Sequence, residues 1–172
     1  MKGERPKVGT RDCKDSAYVF ASVNVVDGQL TTRQLPLIRS RFKRLGAVKY
    51  RLMQNAFVKH LHDIAKRYPA TTHKRVVIVI DNAPWHRGNV VKETLSQHPH
   101  LEFYRLPSYS PQLNPIERVW KMLRRRATHN RFFEKLKNLQ RALRQSIQYY
   151  QVMKHRIRSL ITNPFQTKSP IA

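Results

Sequence analysis

The chain has 172 residues and a mass of 20.4 kDa, the size of one domain or of one domain with a tail. Its 34 Lys and Arg outnumber 10 Asp and Glu, so the formal net charge is +24 and the pI near 11.1, which calls for a polyanionic partner, nucleic acid first. Hydrophobic residues at 40% exclude a wholly disordered basic tail, the aliphatic run from Val76 to Ile80 is far short of the roughly 20 residues that cross a bilayer, and a single cysteine, Cys13, excludes an internal disulfide or a Cys-based zinc cage.

Residues 1–16 are polar and basic, with Gly3, Pro6 and Gly9, and read as an irregular lead-in with no secretory signal. With the lone cysteine, this predicts a reduced cytoplasmic setting and no membrane association. Residues 18–26 put Val19, Ala21, Val23 and Val25 on one face at period two, a strand pattern. Asp27-Gly28 then predicts a tight hairpin, since both positions tolerate positive φ, and residues 29–35 return as its partner. Between Arg39 and Tyr68 the period changes. Ala56-Phe57, His60-Leu61, Ile64-Ala65 and Tyr68 recur every four residues, so a helix buries one stripe there until Pro69 stops it. Residues 75–81 are β-branched and apolar without alternation, as in a central strand covered on both faces. A short helix over 89–97 and a strand over 101–106 complete a parallel crossover unit.

Pro107, Pro111 and Pro115 hold residues 108–114 in a loop. A helix restarts with Asn114 as cap and Pro115 in the first turn, and Ile116, Val119, Trp120 and Leu123 form its inner face. A further helix over 131–150 carries the stripe Phe132, Leu136, Leu139, Leu143, Ile147 and Tyr150. The organisation expected is one folded unit over 1–150 and a basic C-terminal tail over 151–172, whose end has two prolines and little to bury. Residues 118–172 hold fourteen Lys and Arg against one acid, Glu134. Like charges that close weaken an isolated helix, so Arg118, Lys121, Arg124, Arg125 and Arg126 read as a DNA-binding surface rather than an ordinary solvated face.

Acids are scarce here, so their positions are informative. Asp81 ends the most apolar strand, at the sheet edge where ligands and catalytic groups collect in α/β folds; it either works there or caps the turn through Asn82 and Ala83. Glu117 either belongs to a capping box with Asn114 or joins Asp81 across the 35 intervening residues. Carboxylates converging at one sheet edge hold hard divalent cations, which suit phosphodiester displacement in a chain charged for nucleic acid.

Two stretches carry a resemblance. Val77-Ile78-Val79-Ile80-Asp81-Asn82-Ala83-Pro84-Trp85-His86 and Leu106-Pro107-Ser108-Tyr109-Ser110-Pro111-Gln112-Leu113-Asn114-Pro115-Ile116-Glu117-Arg118-Val119-Trp120 together resemble the catalytic domain of Tc1/mariner-type transposases, nearest the bacterial IS630-type branch with its DDE superfamily endonuclease domain. The resemblance spans residues 2–150. It implies an α/β, RNase H-like mixed sheet flanked by helices, Mg²⁺ or Mn²⁺ as cofactor, and DNA cleavage followed by strand transfer in transposition of an insertion element. By motif position Asp81 matches the second catalytic and metal-binding carboxylate and Glu117 the third. Partners implied are transposon-end and target DNA at the nucleoid, and a second copy in a homodimer.

The chain departs from that pattern at its start. The family's first aspartate sits on a strand before the hairpin, and Lys2-Gly3 and Pro6 resemble the segment that follows it. The expectation is a chain lacking the first strand, as a truncated, decayed or split copy, with an upstream polypeptide supplying the first Asp and the helix-turn-helix region. Asp12 and Asp15 sit in the polar lead-in without a strand pattern. Loss of a central strand would leave an open edge and apolar surface. The alternative function is a non-catalytic basic DNA-binding remnant of a transposase. Around the site, Asn82 either orients Asp81 or forms the turn, and His86 either approaches the site or stays an exposed loop residue. Tyr109 and Ser110 touch phosphate or pack the loop, while Trp85 and Trp120 read as packing residues.

Overall fold

Alternation and turn chemistry agree over the first hairpin. The computed structural model describes residues 16–37, 45–108 and 110–162, and in it β1 (Ser16–Val23) pairs antiparallel with β2 (Leu30–Leu37), with Val23 opposite Leu30. The connection is longer than the two-residue turn expected. Asn24 and Gln29 close it through the Asn24 N–H, which donates to the Gln29 carbonyl at 2.9 Å, and the Gly28 N–H donates to the Asn24 carbonyl at 2.8 Å. The Asn24 and Asp27 side chains accept the N–H groups of Val26 and Gln29 at 2.9 and 2.8 Å, so only Gly28 needs a positive φ, +76°.

The next helix, α1 (Leu45–Arg67), presents Met53, Phe57, Leu61 and Ile64 to Phe20 of β1, and Tyr68 and Pro69 end it. A bidentate ion pair, Arg33 Nε and Nη2 to Asp63 at 2.8 and 2.7 Å, ties β2 to α1. β3 (Val76–Ile80) and β4 (Leu101–Arg105) pair in parallel, joined by α2 (Asn89–Gln97), as the crossover reading requires. Ile78 and Ile80 of β3 are buried in the α1 core, but Val77 and Val79 are 50% and 45% exposed. This corrects the expectation of a strand covered on both faces: the later helices stack on the hairpin, not on β3.

Those helices are α3 (Ile116–Ala127), α4 (Leu136–Val152) and α5 (Lys154–Thr162). Leu30, Val119, Leu123, Ile147, Tyr150 and Ile157 form a second core between them and the hairpin. α4 starts later than the stripe suggested: Asn130 turns the chain at φ +54°, and Phe132 lies outside the helix, 47% exposed. α5 falls where only a tail was expected, yet it buries Ile157 and Ile161. Among the described residues each sheet stays two-stranded, and no helix is long and apolar enough to cross a membrane. Cys13, Asp12 and Asp15 lie outside the described residues.

Candidate active site at the end of β3

β3 ends at Ile80, and the next residue, Asp81, leaves the sheet with its side chain 59% exposed. Its Oδ1 accepts the Ala83 N–H at 3.0 Å, the turn anticipated for a capping carboxylate. The same oxygen lies 3.0 Å from Nδ1 of His86. An ionised carboxylate only accepts, so Nδ1 carries the proton in this contact. His86 is not an exposed loop residue. Its side chain is 13% exposed, and its ring stacks 4.2 Å from that of Phe57. Burial lowers its pKa below the ordinary 6.5; Asp81 opposes that shift and Arg105 reinforces it.

Asn82 takes a different role from either expected. Its Nδ2 donates to the Leu106 carbonyl at 3.0 Å, fastening the end of β3 to the loop that follows β4. That loop leads through Ser110, whose hydroxyl donates to the Ser108 carbonyl at 3.3 Å, to Asn114. The Asn114 side chain accepts the Ile116 N–H at 3.3 Å, so it does cap α3. The reciprocal half of the capping box is not made. Glu117 stands exposed in the first turn of α3, and its carboxylate has no hydrogen-bond or ion-pair partner among the described residues. Tyr109 lies outside the described residues.

The structure brings Asp81, Asn82, Ser110, Asn114 and Glu117 to one cavity of about 330 Å³. His86 adjoins it through Asp81. Oxygen donors of this kind suit a hard divalent cation, and two carboxylates with carboxamide and hydroxyl oxygens fit Mg²⁺ or Mn²⁺ rather than a soft metal. No group of three or more His, Cys, Asp and Glu capable of holding a metal occurs among the described residues. The cationic residues divide. Lys121, Arg124, Arg125 and Arg126 are exposed. Arg126 stacks its guanidinium 3.7 Å over the Tyr149 ring, and Arg118 donates to the Leu160 carbonyl at 3.3 Å, joining α3 to α5. Trp85 and Trp120 are partly buried against the first and second cores.

Residues 37–140, more than half of the chain, match the family model described as DDE superfamily endonuclease. The chain belongs to that family. Among solved structures, this DDE endonuclease domain is similar to the catalytic domain of Mos1 mariner transposase (TM-score 0.51, 16% identity, 87% of this chain and 79% of that one). It is also similar to the Mos1 mariner paired end complex with Mn (TM-score 0.55, 16% identity, 98% of this chain and 50% of that one). At that identity the likeness is one of fold, the RNase H-like fold expected. An uncharacterized protein of Sinorhizobium fredii (strain NBRC 101917 / NGR234), y4pE/y4sA, is 33% identical over 79 residues. The match covers 46% of this chain and 54% of that protein, so it spans about half the length of this relative.

His60 was missed as a residue of interest, because a helical stripe position signals packing alone. It is 2% exposed, its Nε2 lies 2.8 Å from the Ser22 hydroxyl, and its Nδ1 is buried without a partner among the described residues. Burial lowers its pKa to about 4.

Proposed function

We propose that this chain is the catalytic portion of a DNA transposase, which cuts a phosphodiester at the end of a mobile element with water and joins the freed 3′-hydroxyl to target DNA. The observation that carries this reading is the shared cavity of Asp81 and Glu117, which have 35 residues between them in sequence, in a chain of net charge +24 that carries a DDE endonuclease domain. Asp81 and Glu117 would hold Mg²⁺ or Mn²⁺. When bound, such an ion neutralises phosphate charge and aligns the attacking and leaving oxygens. The chain's own residues do the rest. His86 fixes the rotamer of Asp81 by donating to Oδ1, Asn82 keeps the loop bearing Asn114 against the strand end, and Asn114 starts the helix that carries Glu117. Lys121, Arg124 and Arg125 grip the DNA backbone. A further carboxylate comes from an upstream segment or polypeptide, the protein works as a homodimer on element ends, and its setting is the cytoplasm at the nucleoid.

A second reading is favoured by one observation, the lack among the described residues of any group of three or more His, Cys, Asp and Glu placed to hold a metal ion. On that reading the chain is a DNA-binding remnant without catalysis. A supercoiled-plasmid assay separates the two. The transposase reading predicts nicking with Mn²⁺ that Asp81→Asn and Glu117→Gln abolish; DNA binding with no Mn²⁺-dependent nicking favours the remnant.

A further inference from the structure

Three of the eight histidines gather at the end of β3 remote from Asp81. His62 lies near the end of α1, and His98 and His100 flank Pro99 between α2 and β4. The His100 carbonyl accepts the Val76 N–H at 2.7 Å, which fixes this group at the start of β3, whereas Asp81 follows its end. Five residues of strand, roughly 16 Å, separate the two places.

Nδ1 of His62 and Nε2 of His98 are 2.8 Å apart, and their rings meet edge to face at 78°. One nitrogen donates its N–H and the other accepts, so a ring lone pair already points into the contact. The backbone holds His98 in place. Its N–H donates to the Leu95 carbonyl at 3.0 Å, its carbonyl accepts the Leu101 N–H at 2.9 Å, and Pro99 restricts the residue before it. The His100 ring backs that of His98 edge to face, with centroids 6.1 Å apart. Nε2 of His100 faces the Tyr68 carbonyl at 2.9 Å and therefore carries a proton, so this nitrogen braces the group and leaves ligation to the other two rings. His62 is exposed and His98 half-buried, so an ion reaches their meeting point from solvent. Burial first, then the neighbouring His62 and His100, lower the pKa of His98, which favours the neutral imidazole that binds metals. Lys59 and Lys66, one turn to either side of His62, are exposed, where salt screens their charge.

We infer that His62 and His98 form a two-histidine site for a borderline divalent transition ion, Zn²⁺, Ni²⁺ or Cu²⁺, with water in the remaining positions. Bonds of about 2.0–2.1 Å at a tetrahedral angle need the two nitrogens about 3.3 Å apart, roughly half an ångström more than the hydrogen bond. A small rotation of the exposed His62 side chain supplies it. The donor ring shifts its proton to its other nitrogen, so both rings ligate as neutral imidazoles and the charge balances. Imidazole suits these ions, with Cu²⁺ highest in the order of affinity and Mn²⁺ lowest. Hard cations that fit Asp81 and Glu117 therefore do not compete here. A bound ion ties α1 to the segment between α2 and β4 and stabilises the folded chain. None of this depends on the transposase reading.

The test is a Cu²⁺ titration of the full chain followed by electron paramagnetic resonance. The wild type is expected to show a saturable site whose spectrum carries two imidazole nitrogens. His62→Ala changes an exposed helical position that accepts alanine without unfolding. This variant and His98→Ala are expected to weaken Cu²⁺ binding at least about tenfold and to lose the two-nitrogen spectrum. Asp81→Asn should keep that spectrum. If the contact is only a hydrogen bond between neutral rings, Cu²⁺ affinity will be equal in the wild type and His62→Ala, and that result would overturn the site. So would loss of the two-nitrogen spectrum in Asp81→Asn, which would place the copper beside His86. Plasmid nicking and Mn²⁺ affinity play no part in this readout, so the histidine site and the transposase reading fail separately.

Discussion

Asp81 owes its geometry to two donors on a single oxygen, the Ala83 amide and the His86 imidazole. Neither neutralises it if the histidine stays uncharged, which burial promotes. Replacing His86 with Phe keeps the ring on Phe57 but removes the donor. Mn²⁺ affinity should fall about tenfold with little change in melting temperature, since groups that orient a metal ligand typically affect binding on that scale. Calorimetric titration of the variant checks this. His60 makes a pH prediction. Its folded pKa, about 4, lies below its ordinary 6.5, so the unfolded chain takes up the proton first. Its contribution to stability is then complete above pH 6.5 and is lost as pH falls towards 4, about 3 kcal/mol in all. Urea midpoints measured across that range should fall with acid, and the fall should be shallower in His60→Gln.

At the scale of elements, Gly28 joins the hairpin to the last helix. A methyl group there would meet the Lys154 carbonyl and, at 2.8 Å, the Arg158 nitrogen, both backbone atoms that cannot rotate away. Gly28→Ala should therefore cost about 1–3 kcal/mol, measured by chemical denaturation, through strain at positive φ and displacement of α5. Arg118→Ala should likewise destabilise, because its guanidinium holds the Leu160 carbonyl, and should change DNA affinity less than loss of Arg124 does. Elements with strong local signals were legible in sequence: α1 by its four-residue stripe ending at Pro69, α2 and β4 by a crossover of the usual length. What escaped depended on distant neighbours. The hairpin loop is closed by the side chains of Asn24 and Asp27, which a dipeptide signal does not reveal, and α5 has only Ile157 and Ile161 to bury beside one lysine and two arginines. The exposed face of β3 is a fact of where three later helices stack. Of the site, the positions of Asp81, Glu117 and Asn114 were readable, whereas the partners of Asn82 and His86 arise from a loop 24 residues on and a helix 29 residues back.

For the molecule as a whole, charge governs partners. Neutralising phosphates releases counterions, so the logarithm of DNA affinity should fall linearly with that of salt concentration, and Arg124→Ala/Arg125→Ala should reduce the slope by about 2 for duplex DNA. Fluorescence anisotropy over a salt series measures it. Two separate cores also imply weak cooperativity, and calorimetry should show a broad melt. Beneath the charge lies one claim: that the carboxylates of Asp81 and Glu117 act on a common divalent ion. Its most direct measurement is a Mn²⁺ titration of the full chain followed by electron paramagnetic resonance, in wild type, Asp81→Asn and Glu117→Gln. The account predicts a saturable site in the wild type that either substitution weakens at least about tenfold, a loss of roughly 1.4 kcal/mol. Equal Mn²⁺ affinity in all three proteins would contradict it.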